Sequence, residues 1–293
     1  MPALAEAEDE FKYVVKFRGA GHGTKALIAE LIGGEIARVL GLRVPELVFL
    51  QLDEAFGQAE GDEEIQDLLK ASRGLNLGLH FLSGALAFDP TVNVIDAELA
   101  SKIVWLDALL TNTDRTVRNT NLLMWHKELW LIDHGSSLYF HYSWMNWQKH
   151  ALSPFVEVKN HVLLPRASQL AEVDAGLKAR LTPEKIREIV ALIPEDWLNW
   201  NDLDITNQEI RETYVRFLTE RVVSKRKKFL WAKYVLHEEK LRMLFPEIDI
   251  EEIRVNLQIF DRICSGSRDG GPIAELDVPE RFRWLTAVRS TII

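Results

Sequence analysis

Cysteine is nearly absent from this sequence of 293 residues, in which Cys264 carries the single thiol. One cysteine excludes an internal disulfide and any zinc site built from several cysteine ligands. Long apolar runs are also missing, since no stretch approaches the roughly 18 residues that a membrane-spanning helix requires. The opening residues, MPALAEAEDEF, are acidic and lack the basic and apolar regions of a signal peptide. We therefore expect a cytoplasmic protein without a membrane partner.

Positive charge is in deficit, with 35 Lys and Arg against 44 Asp and Glu and a formal net charge of −9. Nucleic-acid binding depends on clustered Lys and Arg that neutralise phosphates, so we expect no direct nucleic-acid partner. The one basic run, residues 225–228, is typical of a solvated helix end. The length is sufficient for one large domain or a bilobal pair.

The first part of the chain mixes strand and helix patterns. Residues 11–18 alternate apolar and basic side chains and predict a strand. A helix is predicted to follow, capped by Thr24 and closed near residue 40 by Gly41 in a left-handed conformation. Gly33 and Gly34 interrupt that helix, which indicates a close backbone neighbour on the face that carries Gly34.

The later elements are mainly helical. We predict a strand in LVFLQL after Pro45, a charged helix over residues 60–73 and a strand or extended connection in LNLGLHFLSG. Asp96 is predicted to cap a helix that runs to Asn112, followed by a hairpin in NLLMWHKELWLID. Further helices are predicted to start at Thr182 and, through a capping box with Glu209, at Thr206. This order predicts an α+β protein, with a small sheet-containing part and a mainly helical part.

Four polar side chains surround the two apolar runs of the hairpin: Asp114, Asn119, Asn121 and Asp133. Asp114 and Asn119 lie five positions apart on a loop directly after a helix, and the hairpin returns Asp133 toward Asn119. Phosphoryl transfer from ATP requires a carboxylate facing the attacking hydroxyl, an amide and a second carboxylate for Mg²⁺, and a lysine on the phosphates. The loop and hairpin supply all of these except the lysine.

The pattern Asp-x-x-x-x-Asn, hairpin, Ile-Asp-His-Gly resembles the catalytic and metal-binding loops of the protein-kinase-like superfamily. Within it, NTDRTVRNTNLLMWHKELWLIDHG is most similar to the HipA-like kinases. The resemblance covers roughly residues 11–222 and implies a bilobal fold that binds ATP and Mg²⁺. It implies Asp114 as the catalytic base, with Asn119 and Asp133 as the Mg²⁺ ligands.

The resemblance also implies the roles of two residues in the first part of the chain. Lys16, in YVVKF, would hold the ATP phosphates, and Glu30 in the first helix would be its ion-pair partner. The predicted domains are an N-lobe over residues 1–90, a C-lobe over 91–222 with both loops, and a helical extension over 223–293. Segments of that extension resemble a small uncharacterised family associated with HipA-like genes. The resemblance of the extension to this family implies no chemical activity. It adds a protein encoded by a nearby gene to the expected partners.

The expected function is phosphoryl transfer from ATP to a Ser or Thr hydroxyl of a protein substrate, and two alternatives stay open. DRTVRN and LIDHG also resemble the loops of phosphoinositide kinases, so the acceptor is a lipid or small molecule in one alternative. The other is a non-catalytic, nucleotide-binding pseudokinase. It arises because no glycine precedes Phe11, where such kinases carry a Gly-rich hairpin, and GAGHG follows Lys16 instead. Either the phosphate lid is absent or the sequence begins late.

Neighbours of the predicted site residues have open roles. Arg115 and Arg118 flank the base and either contact substrate or phosphate or are solvated. His134 occupies the place where better-known kinases carry Phe. Asn121 is expected to hold backbone rather than metal, because it is predicted to begin the hairpin strand, where neighbouring side chains face opposite ways.

Overall fold

The computed structural model describes residues 2–53, 61–200 and 204–223. All of them belong to the first of the two units into which the chain divides, Met1–His237. The second unit, Glu238–Ile293, lies outside the described residues, as do the predicted helical extension from residue 224 onward, the basic run and Cys264.

Four antiparallel strands form the N-terminal sheet, in the order β1-β2-β4-β3. They are β1 (Pro2–Glu6), β2 (Lys12–Lys16), β3 (Leu47–Leu52) and β4 (Gly74–His80). Strand β1 was not predicted, because it is an edge strand with almost every side chain exposed and so has no buried face to produce an alternating pattern. The other three strands are confirmed.

Helix α1 (Thr24–Val39) follows β2 through the glycine-rich loop. The predicted cap by Thr24 is wrong: Gly23 occupies the N-cap position with φ 65°, and no side chain caps the helix. The predicted closure is confirmed, since Gly41 has φ 80° and donates its N–H to the Arg38 carbonyl.

The glycines inside α1 have side-chain neighbours rather than the predicted backbone neighbour. A Cβ on Gly33 would lie 2.6 Å from the Cβ of His134, and one on Gly34 would lie 2.7 Å from Leu47 Cδ1. The close approach is therefore real, but the neighbours come from the segment after the hairpin and from β3.

Helix α3 (Ala97–Leu110) is the central element of the helical part. Asp96 caps it as predicted, accepting the Leu99 N–H at 2.7 Å, and ten of its 14 residues are buried. The helix ends at Leu110 rather than Asn112 because Thr111 adopts the left-handed conformation, with φ 55°. This end sets the start of the loop that carries Asp114.

The predicted hairpin is confirmed as β6 (Leu122–Trp125) and β7 (Glu128–Leu131). His126 and Lys127 form its two-residue turn, both with positive φ, as the twist of a tight hairpin requires. A short strand, β5 (Leu86–Ala87), pairs with β6 and completes a second sheet.

The remaining helices confirm the helical character of the chain after residue 95. Thr182 caps the helix Pro183–Ala191 as predicted, and Thr206 and Glu209 bond reciprocally in the predicted capping box. The described helices not yet given are α2 (Glu63–Ala71), α4 (Trp147–Leu152), α5 (Leu170–Arg180), α6 (Pro183–Ala191) and α7 (Asn207–Val223). Within the described ranges, none combines the length and the apolar character that a bilayer crossing demands. The α+β prediction is thus confirmed.

Candidate active site

Three charged side chains from three different elements meet beside the N-terminal sheet. Lys16, at the end of β2, places Nζ 2.8 Å from Asp133 Oδ1 and 3.9 Å from Glu30 Oε2. Glu30 lies within α1 and is 2% exposed, and Asp133 follows β7 with φ 55°. The left-handed conformation, which Asp tolerates better than most residues, directs the chain out of the hairpin at this point. The structure therefore brings together Lys16, Glu30 and Asp133, with Asp133 as the closer partner of the lysine.

The charges in this cluster stabilise one another against burial. Burial disfavours the charged ammonium of Lys16, but Glu30 and Asp133 outweigh it and raise the pKa of Lys16. Burial likewise disfavours the Glu30 carboxylate, but the His134 ring and Lys16 bring the pKa of Glu30 down to about 2. A lysine held charged in a cleft is suited to bind phosphate oxygens.

His134 links α1 to the segment that follows Asp133. The imidazole is buried against Gly33, and its Nδ1 lies 3.6 Å from Glu30 Oε1. Its packing role, open from the sequence, is thus to fill the space left by a glycine in α1. His134 thus packs against the helix that carries Glu30.

A cavity of about 250 Å³ borders the cluster. Its lining includes Lys16, Glu30 and Asp133 together with Gly21 and His22. The GAGHG loop therefore lines the cavity that holds the lysine, although it follows the lysine strand in the sequence.

Asp114 accepts two side-chain amides at one carboxylate oxygen. Asn119 Nδ2 lies 2.8 Å from Asp114 Oδ2, and Asn121 Nδ2 lies 3.1 Å from the same atom. Asn119 is exposed and Asn121 is buried. Asn121 also precedes β6 and has φ 48°, so the expectation that it begins the hairpin strand is wrong. The three residues nevertheless form one polar group at the end of the hairpin.

The side-chain oxygen atoms of Asp114, Asn119 and Asn121 are suitable ligands for a hard cation. Because both Asn side chains donate through Nδ2 to Asp114, their Oδ1 atoms stay available, and neither has a protein partner within the part of the chain that the structure describes. The Asp133 side chain is 40% exposed. Amide and carboxylate oxygens are the ligands that Mg²⁺ prefers.

Arg115 and Arg118 differ in solvent exposure, a question that the sequence left open. Arg118 is exposed, whereas Arg115 is 1% exposed and donates Nε to Asp107 Oδ2 at 2.6 Å. Arg115 is therefore neither solvated nor in reach of a substrate. Sequence reasoning missed its ion-pair partner, Asp107, and it missed His161, which bonds to the same carboxylate. The available signal for Asp107 was a lone carboxylate inside the apolar run VWLDALL of a buried helix.

The match to a family model agrees with the resemblance seen in the sequence. Residues 1–233 match the family described as HipA-like kinase, and residues 222–293 match a family described as a protein of unknown function, DUF3037. No curated protein matches the chain. Among solved structures, the chain is similar to the crystal structure of a Helicobacter pylori proinflammatory kinase, CtkA. The two are 16% identical, with 82% of this chain and 95% of that chain covered at a TM-score of 0.46. Because the family match spans most of the sequence, the chain belongs to the HipA-like kinase family.

Proposed function

We propose that this protein transfers the γ-phosphoryl group of ATP, in the presence of Mg²⁺, to a Ser or Thr hydroxyl of a protein substrate. Membership of the HipA-like kinase family supports a protein-kinase-like phosphotransferase. The observation that carries the proposal is the ion pair between Lys16 and Asp133, 2.8 Å long, in a cavity also lined by Glu30. Two residues more than 100 positions apart thus supply the phosphate-binding cation and a metal-binding carboxylate at one place.

In this proposal Lys16 binds the phosphates of ATP, and Glu30 holds the lysine from its buried side. Asp133 and Asn119 would be the protein ligands of Mg²⁺. When bound, the ion would neutralise charge on the phosphates, and water and phosphate oxygens would complete its shell.

Asp114 is the proposed general base. Its Oδ2 is occupied by two amides, which orients the carboxylate and leaves Oδ1 to accept the proton of the acceptor hydroxyl. The hydroxyl oxygen bonds to the γ-phosphorus as its proton passes to Asp114. The bond from that phosphorus to the bridging oxygen breaks, and ADP leaves with the electron pair.

A pseudokinase remains the second candidate, and one observation favours it. The β1–β2 turn contains no glycine and three acidic residues, Glu8, Asp9 and Glu10. Because Pro2 pairs with Lys16, the turn lies at the other end of the hairpin, on the order of 15 Å from the lysine at about 3.3 Å per residue. The turn of this hairpin therefore does not cover phosphates bound at Lys16.

Radiolabelled ATP offered to the purified protein with lysate proteins, lipid vesicles and sugars separates these functions. We expect label in one or a few proteins, dependent on Mg²⁺. Label found only in lipid or sugar would end the protein-kinase proposal. MgATP binding without labelling of any acceptor would favour the pseudokinase.

A further inference from the structure

We propose that Arg115 is a positioning residue that fixes the catalytic loop to the ends of β6 and β7, and that Asp107 and His161 hold it in place. The proposal deepens the function proposed above and rests on it. It assigns a role to a buried charged cluster that touches neither the lysine cavity nor solvent.

The guanidinium of Arg115 lies where the ends of the two hairpin strands meet. Its Nη1 donates to the backbone carbonyl of Asn121, and to that of Ile132 at 3.3 Å. The Ile132 N–H also donates to the Asn121 carbonyl, at 3.1 Å. Ile132 directly precedes Asp133, and the Asn121 side chain bonds to Asp114. Nη1 of Arg115 therefore bonds to the backbone directly before Asp133 and also to the backbone of Asn121, whose side-chain amide bonds to Asp114.

Asp107 connects the same guanidinium to the other end of the loop. Its Oδ2 accepts Arg115 Nε, and its Oδ1 accepts Asn112 Nδ2 at 2.9 Å. Asn112 Oδ1 in turn accepts the backbone N–H of Asp114 at 3.1 Å. Burial opposes the charge of Asp107, but Arg115 and His161 outweigh it and hold the pKa of Asp107 well below its usual range. A single carboxylate of α3 thus holds both Arg115 and the backbone of the base.

His161 closes the cluster from the segment before α5. Its Nε2 lies 2.8 Å from Asp107 Oδ2, while its Nδ1 accepts the Leu163 N–H at 3.0 Å. Because Nδ1 is an acceptor, Nε2 carries the hydrogen that Asp107 accepts. The Val162 N–H also donates to the Arg115 carbonyl at 3.1 Å. The loop that carries Asp114 is therefore bonded both to α3 and to the segment that contains His161.

A buried ion pair is weak evidence for stability, since well-packed apolar residues often replace one without loss. Only a planar guanidinium can satisfy a carboxylate and two carbonyls in different directions at once. The ammonium of lysine keeps the charge but cannot reproduce that fork. We therefore attribute the role of Arg115 to the hydrogen bonds that position the loop and the hairpin ends, and not to its charge alone.

Arg115→Lys tests the proposal, with two matched controls. Arg118→Lys alters an exposed arginine of the same loop. Arg221→Lys alters an equally buried arginine of α7 that binds backbone carbonyls, including those of Ala108 and Leu109, and that makes no hydrogen bond to residues 114–121 or 132–134. The measurements are kcat, the half-saturating Mg²⁺ concentration, thermal unfolding and backbone hydrogen exchange over residues 114–121 and 132–134.

For Arg115→Lys we expect kcat to fall at least 30-fold, the Mg²⁺ requirement to rise several-fold, and exchange to rise in those two segments. Arg118→Lys should leave hydrogen exchange unchanged in both segments, and Arg221→Lys should lose stability without the local change in exchange. If Arg115→Lys does not fold, His161→Gln, which leaves the arginine–carboxylate pair intact, should show the same pattern at smaller size.

Unchanged exchange and turnover in the folded variant would overturn the proposal, and so would equal loss of turnover in Arg115→Lys and Arg221→Lys at equal loss of stability. Failure of the proposed function is a separate result. A wild type that labels no acceptor ends that function, while the exchange measurement still decides whether Arg115 orders the two segments.

Discussion

At the scale of single residues, Asp133 has two partners to satisfy. It is the closer ion-pair partner of Lys16, and it is also a proposed ligand of Mg²⁺. A carboxylate has enough lone pairs to bind a lysine and a cation together. Asn119 and Asn121 then compete for the role of second ligand, because both bind Asp114 through Nδ2. Exposure separates them, since only the Asn119 side chain is open to solvent.

The first prediction concerns this metal site. Asp133→Asn should weaken Mg²⁺-dependent ATP binding at least tenfold, because it removes the charged ligand. Asn119→Ala should weaken it less. Asn121→Ala should leave the metal dependence unchanged, since its side chain is buried and bonded to the base. Titration of MgATP against each variant is the measurement, and a shifted Mg²⁺ requirement in Asn121→Ala but not in Asn119→Ala would reverse the ligand assignment.

The sequence indicated which charged residues the fold brings together, but it did not indicate their surroundings. Lys16, Glu30 and Asp133 were found by resemblance, because their order along the chain is itself a pattern, and the fold brings them together. The burial of Arg115 and the left-handed conformation of Asn121 were not predictable in this way. The Arg115 side chain contacts Asp107 of α3 and the backbone carbonyls of Asn121 and Ile132, and no local pattern reveals these contacts.

At the scale of elements, helix α1 carries Glu30 toward the lysine and is fixed against His134. Ala at an exposed helix position stabilises a helix by about 1 kcal/mol relative to Gly. Gly33 is nevertheless favoured over Ala at its position, because a Cβ there would overlap the Cβ and Cγ atoms of the buried His134 side chain. At position 34 the overlap is with a terminal methyl group of Leu47, which can rotate away.

The second prediction compares these two glycines. Gly33→Ala should lower kcat at least tenfold and reduce the unfolding temperature, because α1 and His134 must separate and Glu30 moves with the helix. Gly34→Ala should leave kcat within about twofold, since a rotated Leu47 offsets the overlap and the helix gains propensity. Steady-state kinetics and thermal unfolding of both variants are the measurements. Full activity in Gly33→Ala would show that the contact with His134 does not set the position of Glu30.

Element predictions succeeded where caps and turns are local. Asp96, Thr182 and Gly41 end or begin helices as their chemistry requires, and the hairpin has a two-residue turn. They failed for β1, because its exposed residues show no alternating pattern and the strand forms by pairing with β2. Thr24 failed as a cap because Gly23 takes the N-cap position in a conformation that favours glycine.

At the scale of the whole described unit, the N-terminal sheet and the helical part are joined by long-range contacts. Trp197 Nε1 donates to the Leu75 carbonyl at 2.9 Å, and Arg180 Nη1 donates to the Leu40 carbonyl at 2.9 Å. The Lys25 ammonium lies 4.5 Å from the ring centre of Trp200. Beneath this contact, His141 is fully buried with its Nδ1 2.9 Å from the Tyr214 hydroxyl. The interior therefore contains a histidine whose protonation couples to global stability.

The third prediction is a pH dependence of unfolding. Burial, together with the positive charges of Lys25 and His22, lowers the pKa of His141 to about 3. The unfolded chain binds this proton near pH 6.5, so the stabilisation is complete above that pH and is lost as the pH falls toward 3. Between pH 7 and pH 5 the wild type should lose about 2 kcal/mol more than His141→Gln, at about 1.4 kcal/mol per pH unit. Denaturant unfolding at both pH values is the measurement, and equal losses in the two proteins would show that His141 is not buried in its neutral form.

The central claim is that Asp114 acts on the acceptor hydroxyl while Lys16 and Asp133 hold MgATP. Paired measurement of phosphoryl transfer and MgATP affinity in the wild type and in Asp114→Ala tests it most directly. Since the base acts mainly in the transition state, we expect transfer by the wild type, loss of at least 1000-fold in the variant, and an ATP affinity changed by no more than a few-fold. Equal loss of affinity and turnover, or full turnover without the carboxylate, would contradict it.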